Sequence, residues 1–211
     1  AVHKLGAEAG QFFLLRVLTR KQWWRPHPFS VSNSPADTIR FTVGNRGDDT
    51  ALLQDIKVGT RVILEGPFGV FSESKRTKRH VTLLAAGIGV APIRALAESL
   101  AAEPGDVTVV YRVTDESDAA LLDEVKRICT ERGHYLELVR GPRAANGSFL
   151  PDLPVGERPK PDYARLLELA PMVRESDVYI CGPTGWSHSA KDSLRKIGLP
   201  KEQIHVEEFA W

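Results

Sequence analysis

Residues 80–96, HVTLLAAGIGVAPIRAL, constrain this chain more than any other stretch. The apolar run from Val81 to Ala86 has the length of a buried strand. Gly87 and Gly89 then supply a tight turn, and Ala91-Pro92-Ile93-Arg94-Ala95-Leu96 reads as the opening of a helix. Proline suits a first helical turn, where its missing N–H costs little. A strand that passes through a glycine turn into a helix lets backbone N–H groups come close to a ligand. The positive end of the helix dipole there favours an anion such as a pyrophosphate. The same pattern also serves where a chain needs only close packing. Pro92 moreover stands where the dinucleotide fingerprint has its third glycine, so the flanking sequence has to decide.

Those flanks divide the chain in two. Over residues 1–73 the pattern is all-β, with strand-like runs at 11–18, 29–33, 38–44 and 61–65 and one short helix at 50–55. The turn formers Asn33-Ser34-Pro35, Asn45-Arg46-Gly47 and Gly66-Pro67 separate them. Several short strands with one helix suit a small antiparallel β-barrel better than a sandwich. Over residues 74–211 strands and helices alternate. Strands are expected at 107–113, 134–139, 177–181 and 203–209, and helices on the face of Leu121, Val125, Ile128 and Arg132, at 162–173, and on the face of Trp186, Ala190, Leu194 and Ile197. With the strand at 81–86 this makes a five-stranded parallel α/β sheet, which binds ligands at the carboxyl ends of its strands. The basic run 74–79 reads as a solvated link rather than a dock for an acidic partner or a membrane surface, the Pro- and Gly-rich residues 141–160 as a mobile surface loop, and Trp23 and Trp24 as a cross-strand packing pair rather than a contact for a partner or lipid headgroups.

Composition excludes several classes. A formal charge of +1 carries no basic excess of the kind a nucleic-acid binder shows, and two cysteines make no disulfide framework. Gly87, Gly89, Pro92 and Arg94 interrupt the longest apolar candidate for a membrane span, so the chain reads as soluble. It has neither a signal peptide nor an initiator Met, and Ala1 lies only ten residues before the first strand-like run. A piece cut from a longer protein, with the opening strand of the barrel missing, is the expectation.

Four short signals fall in a fixed order: His27-Pro28-Phe29-Ser30, Gly47-Asp48-Asp49-Thr50, Gly87-Ile88-Gly89-Val90-Ala91-Pro92 and Cys181-Gly182-Pro183. The aromatic end Glu207-Glu208-Phe209-Ala210-Trp211 follows them. Taken in order over essentially the whole chain, they resemble the ferredoxin–NADP reductase family, in the branch of ferric reductases and NADPH oxidases. The resemblance implies FAD on the barrel and NADPH or NADH on the sheet domain. Phe29, with Pro28 and Val43, would lie along the flavin, and the Ser30 hydroxyl would meet flavin N5, where a group that both donates and accepts suits both redox states. His27 stands where the family's usual pattern has an arginine for the flavin pyrophosphate, and Arg25 is placed to supply that charge. Gly47, Asp49 and Thr50 would bring a helix N-terminus to the same pyrophosphate.

On the nucleotide side, Gly87, Gly89 and Pro92 would cradle the NAD(P)H phosphates. Arg112, at the end of the next strand, suits a 2′-phosphate and favours NADPH, with Asp115 and Glu116 pulling toward NADH. Cys181, with Gly182 and Pro183, would border the nicotinamide. Glu207, Phe209 and Trp211 would line the flavin, Trp211 stacking opposite Phe29. Ser30, Cys181, Glu207 and Trp211 are thus the expected catalytic set. The implied activity is hydride transfer from NAD(P)H to FAD, then single electrons to an acceptor outside this chain. That acceptor is expected to be a haem-bearing transmembrane part of the parent protein, with this piece on the cytoplasmic side, or else a soluble ferredoxin. The competing reading is a catalytically silent nucleotide-binding or docking domain.

Overall fold

The computed structural model describes residues 6–19, 23–36, 38–44, 53, 55–154 and 156–209. Strands β1 (Phe12–Val17), β2 (His27–Ser30) and β3 (Val62–Phe68) form an antiparallel sheet in the order β2-β1-β3. Alternation along β1 buries Phe13 and Val17 completely. Phe13 pairs with Phe29 across the ladder and meets the Phe41 ring edge-on at 6.0 Å.

The sequence put a turn at Gly66-Pro67, yet β3 runs through it. Phe12 faces Phe68 while Leu14 faces Glu65, so β3 carries one extra residue, a bulge. Gly66, at φ 146°, takes the awkward position, where an added Cβ would lie 2.8 Å from the Phe13 ring. The strand expected at 38–44 is reduced to one bridge, Val31 to Phe41. The Asn33 side chain explains this: its amide donates to the Thr38 carbonyl at 3.0 Å and its oxygen accepts from the Arg40 N–H at 2.8 Å, diverting backbone groups from a ladder. The helix expected at 50–55 lies mostly outside the described residues. Trp23 and Trp24 do not pack across strands; they are 60% and 55% exposed and touch each other edge-to-face.

The second sheet is wholly parallel, in the order β6-β5-β4-β7-β8. Its strands are β4 (His80–Ala86), β5 (Val107–Val113), β6 (Tyr135–Arg140), β7 (Ser176–Pro183) and β8 (Ile204–Phe209). Helices α1 (Val90–Ser99), α2 (Leu122–Arg132), α3 (Asp162–Leu169) and α4 (Thr184–Ile197) cover it. Strand alternation builds two cores. Val81, Leu83, Ala85, Val107, Val109, Tyr111, Tyr179 and Cys181 pack under α1 and α2, whereas Leu84, Val110, Val178 and Ile180 pack under α3 and α4. The described helices number none that is long and apolar enough to cross a membrane.

Two segments read as solvated turn out to be anchored. Within 141–160, Phe149 and Leu150 are buried in the α3–α4 core, and the Trp186 indole N–H donates to the Phe149 carbonyl at 2.7 Å. In the basic run, Arg76 donates to the carbonyls of Lys78, Arg79 and Ala101, and Asp177 accepts from the Thr77 and Lys78 N–H groups. The two halves of the molecule are joined by a charged cluster. The buried Arg94 of α1 donates to Glu98, to Glu124 of α2 at 2.9 Å and to the Ser32 carbonyl at 3.2 Å. Arg40 approaches Glu124 from the antiparallel side.

Candidate functional site

Strand order fixes where a ligand can bind. From β4 the chain goes to β5 and β6 on one side, then returns to β7 and β8 on the other. The carboxyl ends of β4 and β7 therefore lie at the point where the winding reverses, and a crevice opens there. A cavity of about 360 Å³ occupies it, lined among others by Gly87, Arg112, Arg143, Ser148, Pro183 and Trp186.

The two glycines of the turn do different work. Gly87, at φ 54°, adopts a conformation costly for any side-chain-bearing residue, and it faces the cavity. Gly89 instead lets β7 come close: a Cβ there would lie 2.2 Å from the Cys181 carbonyl oxygen. Residues 87–89 form a 3₁₀ turn that leads directly into α1, with Pro92 buried in the helix's first turn. The Tyr111 hydroxyl steadies this connection by donating to the Ala120 carbonyl at 3.0 Å, with the Gly87 carbonyl at 3.4 Å, and burial pushes its pKa up to about 12. Gly182 is also a packing glycine, since a Cβ would fall 2.7 Å from the Trp186 ring.

Two cations converge on the cavity. Arg112 donates to the Gly141 carbonyl at 3.1 Å, and burial together with the nearby Arg143 charge holds its pKa below the usual guanidinium value. Neither arginine has a carboxylate partner among the described residues. The acids that the sequence set against Arg112 are engaged elsewhere: Asp115 accepts from the Ser117 N–H and hydroxyl, and Glu116 pairs with Lys126 and Arg140. Asp118 is the further carboxylate on the lining. Sequence reasoning missed Arg143; its signal was the position of Gly141-Pro142-Arg143, just past the end of the strand next to Arg112's.

On the antiparallel side, Ser30 is buried and its hydroxyl has no hydrogen-bond partner among the described residues. A buried hydroxyl left unpaired is costly, so this atom suits a ligand that both accepts and donates. Phe29 is buried against Phe13 and Phe41, with the His27 ring stacked 6.1 Å away. Pro28 and Arg25 are exposed and Val43 is half-buried. Gly44 abuts Ile88 of the glycine turn, and Gly69 abuts the Glu207 carboxyl, so both ends of this half meet the carboxyl ends of the parallel strands.

Cys181 and Glu207 are neighbours in the β7–β8 ladder. Cys181 is fully buried; burial, and after it Glu207, raises its thiol pKa well above the ordinary value, which leaves it unreactive as a nucleophile. Burial pushes the Glu207 carboxyl up to about 7. Gly47, Asp49, Thr50 and Trp211, and the side chain of Phe209, lie outside the described residues.

The family described as oxidoreductase NAD-binding domain matches residues 83–192. The ferredoxin reductase component of 3-ketosteroid-9-alpha-monooxygenase from Mycolicibacterium smegmatis is 29% identical over 99% of this chain and 57% of its own length. A flavohemoprotein from Deinococcus radiodurans is 27% identical over 96% of this chain and 51% of its own. The chain thus spans about half the length of these relatives. Among solved structures, a cytochrome P450 reductase from Amycolatopsis superposes with a TM-score of 0.72 at 21% identity, over 96% of this chain and 61% of that one. The FAD/NAD-binding domain of nitric oxide dioxygenase from Vibrio cholerae gives 0.70 at 22%, over 96% and 85%. These likenesses make the two-sheet architecture a ferredoxin reductase-like fold. Because the family match begins in β4, takes in the glycine turn and both arginines, and ends in α4, the chain belongs to the oxidoreductase NAD-binding domain family.

Proposed function

We propose that this chain is the nucleotide and flavin module of an NAD(P)H-dependent oxidoreductase, with residues 1–73 as its FAD half and 74–211 as its NAD(P)H half. The observation that carries the reading is the cavity at the winding reversal, with Gly87 on its wall and two arginines that lack carboxylate partners among the described residues. The unpaired, buried Ser30 hydroxyl fits a flavin on the other side of the junction. When bound, FAD supplies the conversion of a two-electron hydride into single-electron transfer.

The chain's own residues hold and orient. Ser30 would donate to or accept from flavin N5, with Pro28, Phe29 and Val43 toward the ring; Phe209 and Trp211 would complete that set, the Phe209 side chain and Trp211 lying outside the described residues. Arg25, His27 and residues 47–50 would hold the flavin pyrophosphate. Gly87, with the α1 turn that Gly89 and Pro92 shape, receives the nucleotide phosphates. Arg112 and Arg143 take a 2′-phosphate, which favours NADPH over NADH. Cys181, Gly182 and Pro183 keep the nicotinamide end narrow. Glu207, protonated up to about pH 7, holds a proton at the junction. Relatives named as a ferredoxin reductase component and a flavohemoprotein support an iron or haem acceptor. The His27-Pro28-Phe29-Ser30 motif supports, within that class, a membrane-embedded haem of a ferric reductase-like parent, with this module on the cytoplasmic side.

The test is steady-state reduction of ferricyanide, an artificial one-electron acceptor, by the FAD-supplemented chain with NADPH or NADH. FAD-dependent turnover, faster with NADPH, is expected. Equal rates with and without FAD would contradict the proposal.

A further inference from the structure

Side-chain hydrogen bonds between the two halves fall in two groups among the described residues. One lies at the covalent link, where the Tyr179 hydroxyl donates to the Ser72 carbonyl at 3.0 Å and the Glu73 carboxyl accepts from the Ala101 N–H at 2.7 Å. The other is the Arg94 cluster, away from that link in sequence. Here the Ser34 N–H donates to Glu98 at 2.5 Å, and both terminal nitrogens of Arg40 donate to Glu124, at 3.1 and 2.9 Å. The fully buried Ser32 stands between the halves. Its carbonyl accepts from Arg94 at 3.2 Å and from Arg40 at 2.7 Å, and its hydroxyl accepts from Thr42 at 2.9 Å. A link fixed at one point leaves rotation about it; a second tie of directed bonds removes that freedom.

The second tie lies close to both ends of the proposed site. Arg94 follows Gly89 by five residues of continuous helix, which at about 1.5 Å per residue puts it about 8 Å from the glycine turn. Ser32 follows Ser30, whose buried hydroxyl is unpaired among the described residues, by two residues, about 7 Å of extended chain. Buried charges tied in this way stabilise little overall, because desolvation offsets their attraction, but they fix direction. Hydride transfer makes direction matter. The reacting atoms must approach within about 3.5 Å, and a misplacement of about 1 Å costs about a hundredfold in rate. We propose that Arg94 is a positioning residue for hydride transfer, a role that rests on the electron-transfer reading above. Its guanidinium holds Ser32, Glu98 and Glu124 together and so sets the spacing between Ser30 and the Gly87 turn. It acts through Ser32 and α1, not on the reacting atoms.

The experiment compares the FAD-loaded chain with its R94K and E124Q variants. Lysine keeps the charge but lacks the fork that reaches three partners at once. Flavin bleaching after mixing with saturating NADPH should slow in R94K by about tenfold to a hundredfold, with the NADPH dissociation constant within about twofold of the parent. NADPH deuterated at nicotinamide C4 should slow R94K bleaching further, which identifies hydride transfer as the affected step. E124Q should show the same split in smaller measure. The second readout needs no cofactor: in the cofactor-free chain, amide exchange at Ser34 should quicken about tenfold or more in R94K, while β4 and β5 amides keep their protection. R94K bleaching at the parent rate, slowing matched by lost FAD or NADPH affinity, or Ser34 exchange that is unchanged or rises evenly with both sheets overturns the proposal and leaves Arg94 a stabilising contact. A parent chain that shows no bleaching at all overturns the electron-transfer reading itself, and this role with it.

Discussion

Replacing Gly89 by alanine tests how the glycine turn is held. The new Cβ would lie 2.2 Å from the Cys181 carbonyl oxygen, 2.5 Å from its carbonyl carbon and 2.8 Å from the Gly182 nitrogen. All three are backbone atoms of β7, which is hydrogen-bonded to both β4 and β8, so no rotamer change relieves the clash. The turn and β7 must separate by about 1 Å to restore ordinary contact in a close-packed interior. Overpacking of this kind costs about 1–3 kcal/mol, and a rigid central strand puts Gly89→Ala at about 3. For a chain of this length that lowers Tm by about 6–12 °C. Gly87→Ala differs in kind: its cost is the left-handed backbone at φ 54°, about 1–2 kcal/mol, at a residue that lines the cavity proposed for the nucleotide. Thermal denaturation and NADPH titration of both variants separate the two roles. Gly89→Ala should lose chiefly stability, and Gly87→Ala chiefly affinity. A Gly89→Ala protein melting within about 2 °C of the parent would refute the packing argument.

Arg94→Met removes the cation that binds Glu98, Glu124 and the Ser32 carbonyl; because both glutamates keep about a third of their exposure, the expected loss is about 2–3 kcal/mol, read by urea denaturation. Arg112→Ala and Arg143→Ala should each weaken NADPH binding about tenfold or more while leaving NADH nearly unchanged, which calorimetric titration resolves. Burial raises the Glu207 carboxyl from an ordinary 4.5 to about 7, so the folded state keeps a proton that the unfolded chain has lost. Stability therefore falls as pH rises from about 4.5 to 7 and levels off above; full burial would make this about 3 kcal/mol, and partial solvent access reduces it to about 1–2. Glu207→Gln should flatten that slope in denaturation curves taken across the same pH range.

Much of the parallel sheet was legible because β4, β5 and β7 are buried on both faces. Val81 to Ala86 is apolar apart from Thr82, Val107 to Val113 apart from Thr108 and Arg112, and the alternation that sends Leu83 to one core and Leu84 to the other needs no partner to be seen. The misreadings share a cause. Gly66-Pro67 has turn composition, but the register of β1 opposite makes it a bulge. Phe149 and Leu150 are two apolar residues among prolines and glycines, and residues distant in sequence, such as Leu84, Val110 and Leu166, make them core, with Trp186 bonded to the Phe149 carbonyl from 37 positions away. Trp23 and Trp24 sit on a short connection with no strand opposite to bury them among the described residues. At the site, the glycine motif was visible but the division of labour between Gly87 and Gly89 was not, because it depends on how near β7 passes. Arg143 becomes a partner of Arg112 only once β5 and β6 lie side by side.

The most direct measurement is the visible absorption spectrum of the chain with added FAD, followed anaerobically as NADPH or NADH is supplied. A protein-bound flavin band that bleaches, faster with NADPH, is the predicted result. Failure to retain flavin at saturating FAD, or a bound flavin that stays oxidised with both nucleotides, would contradict the account.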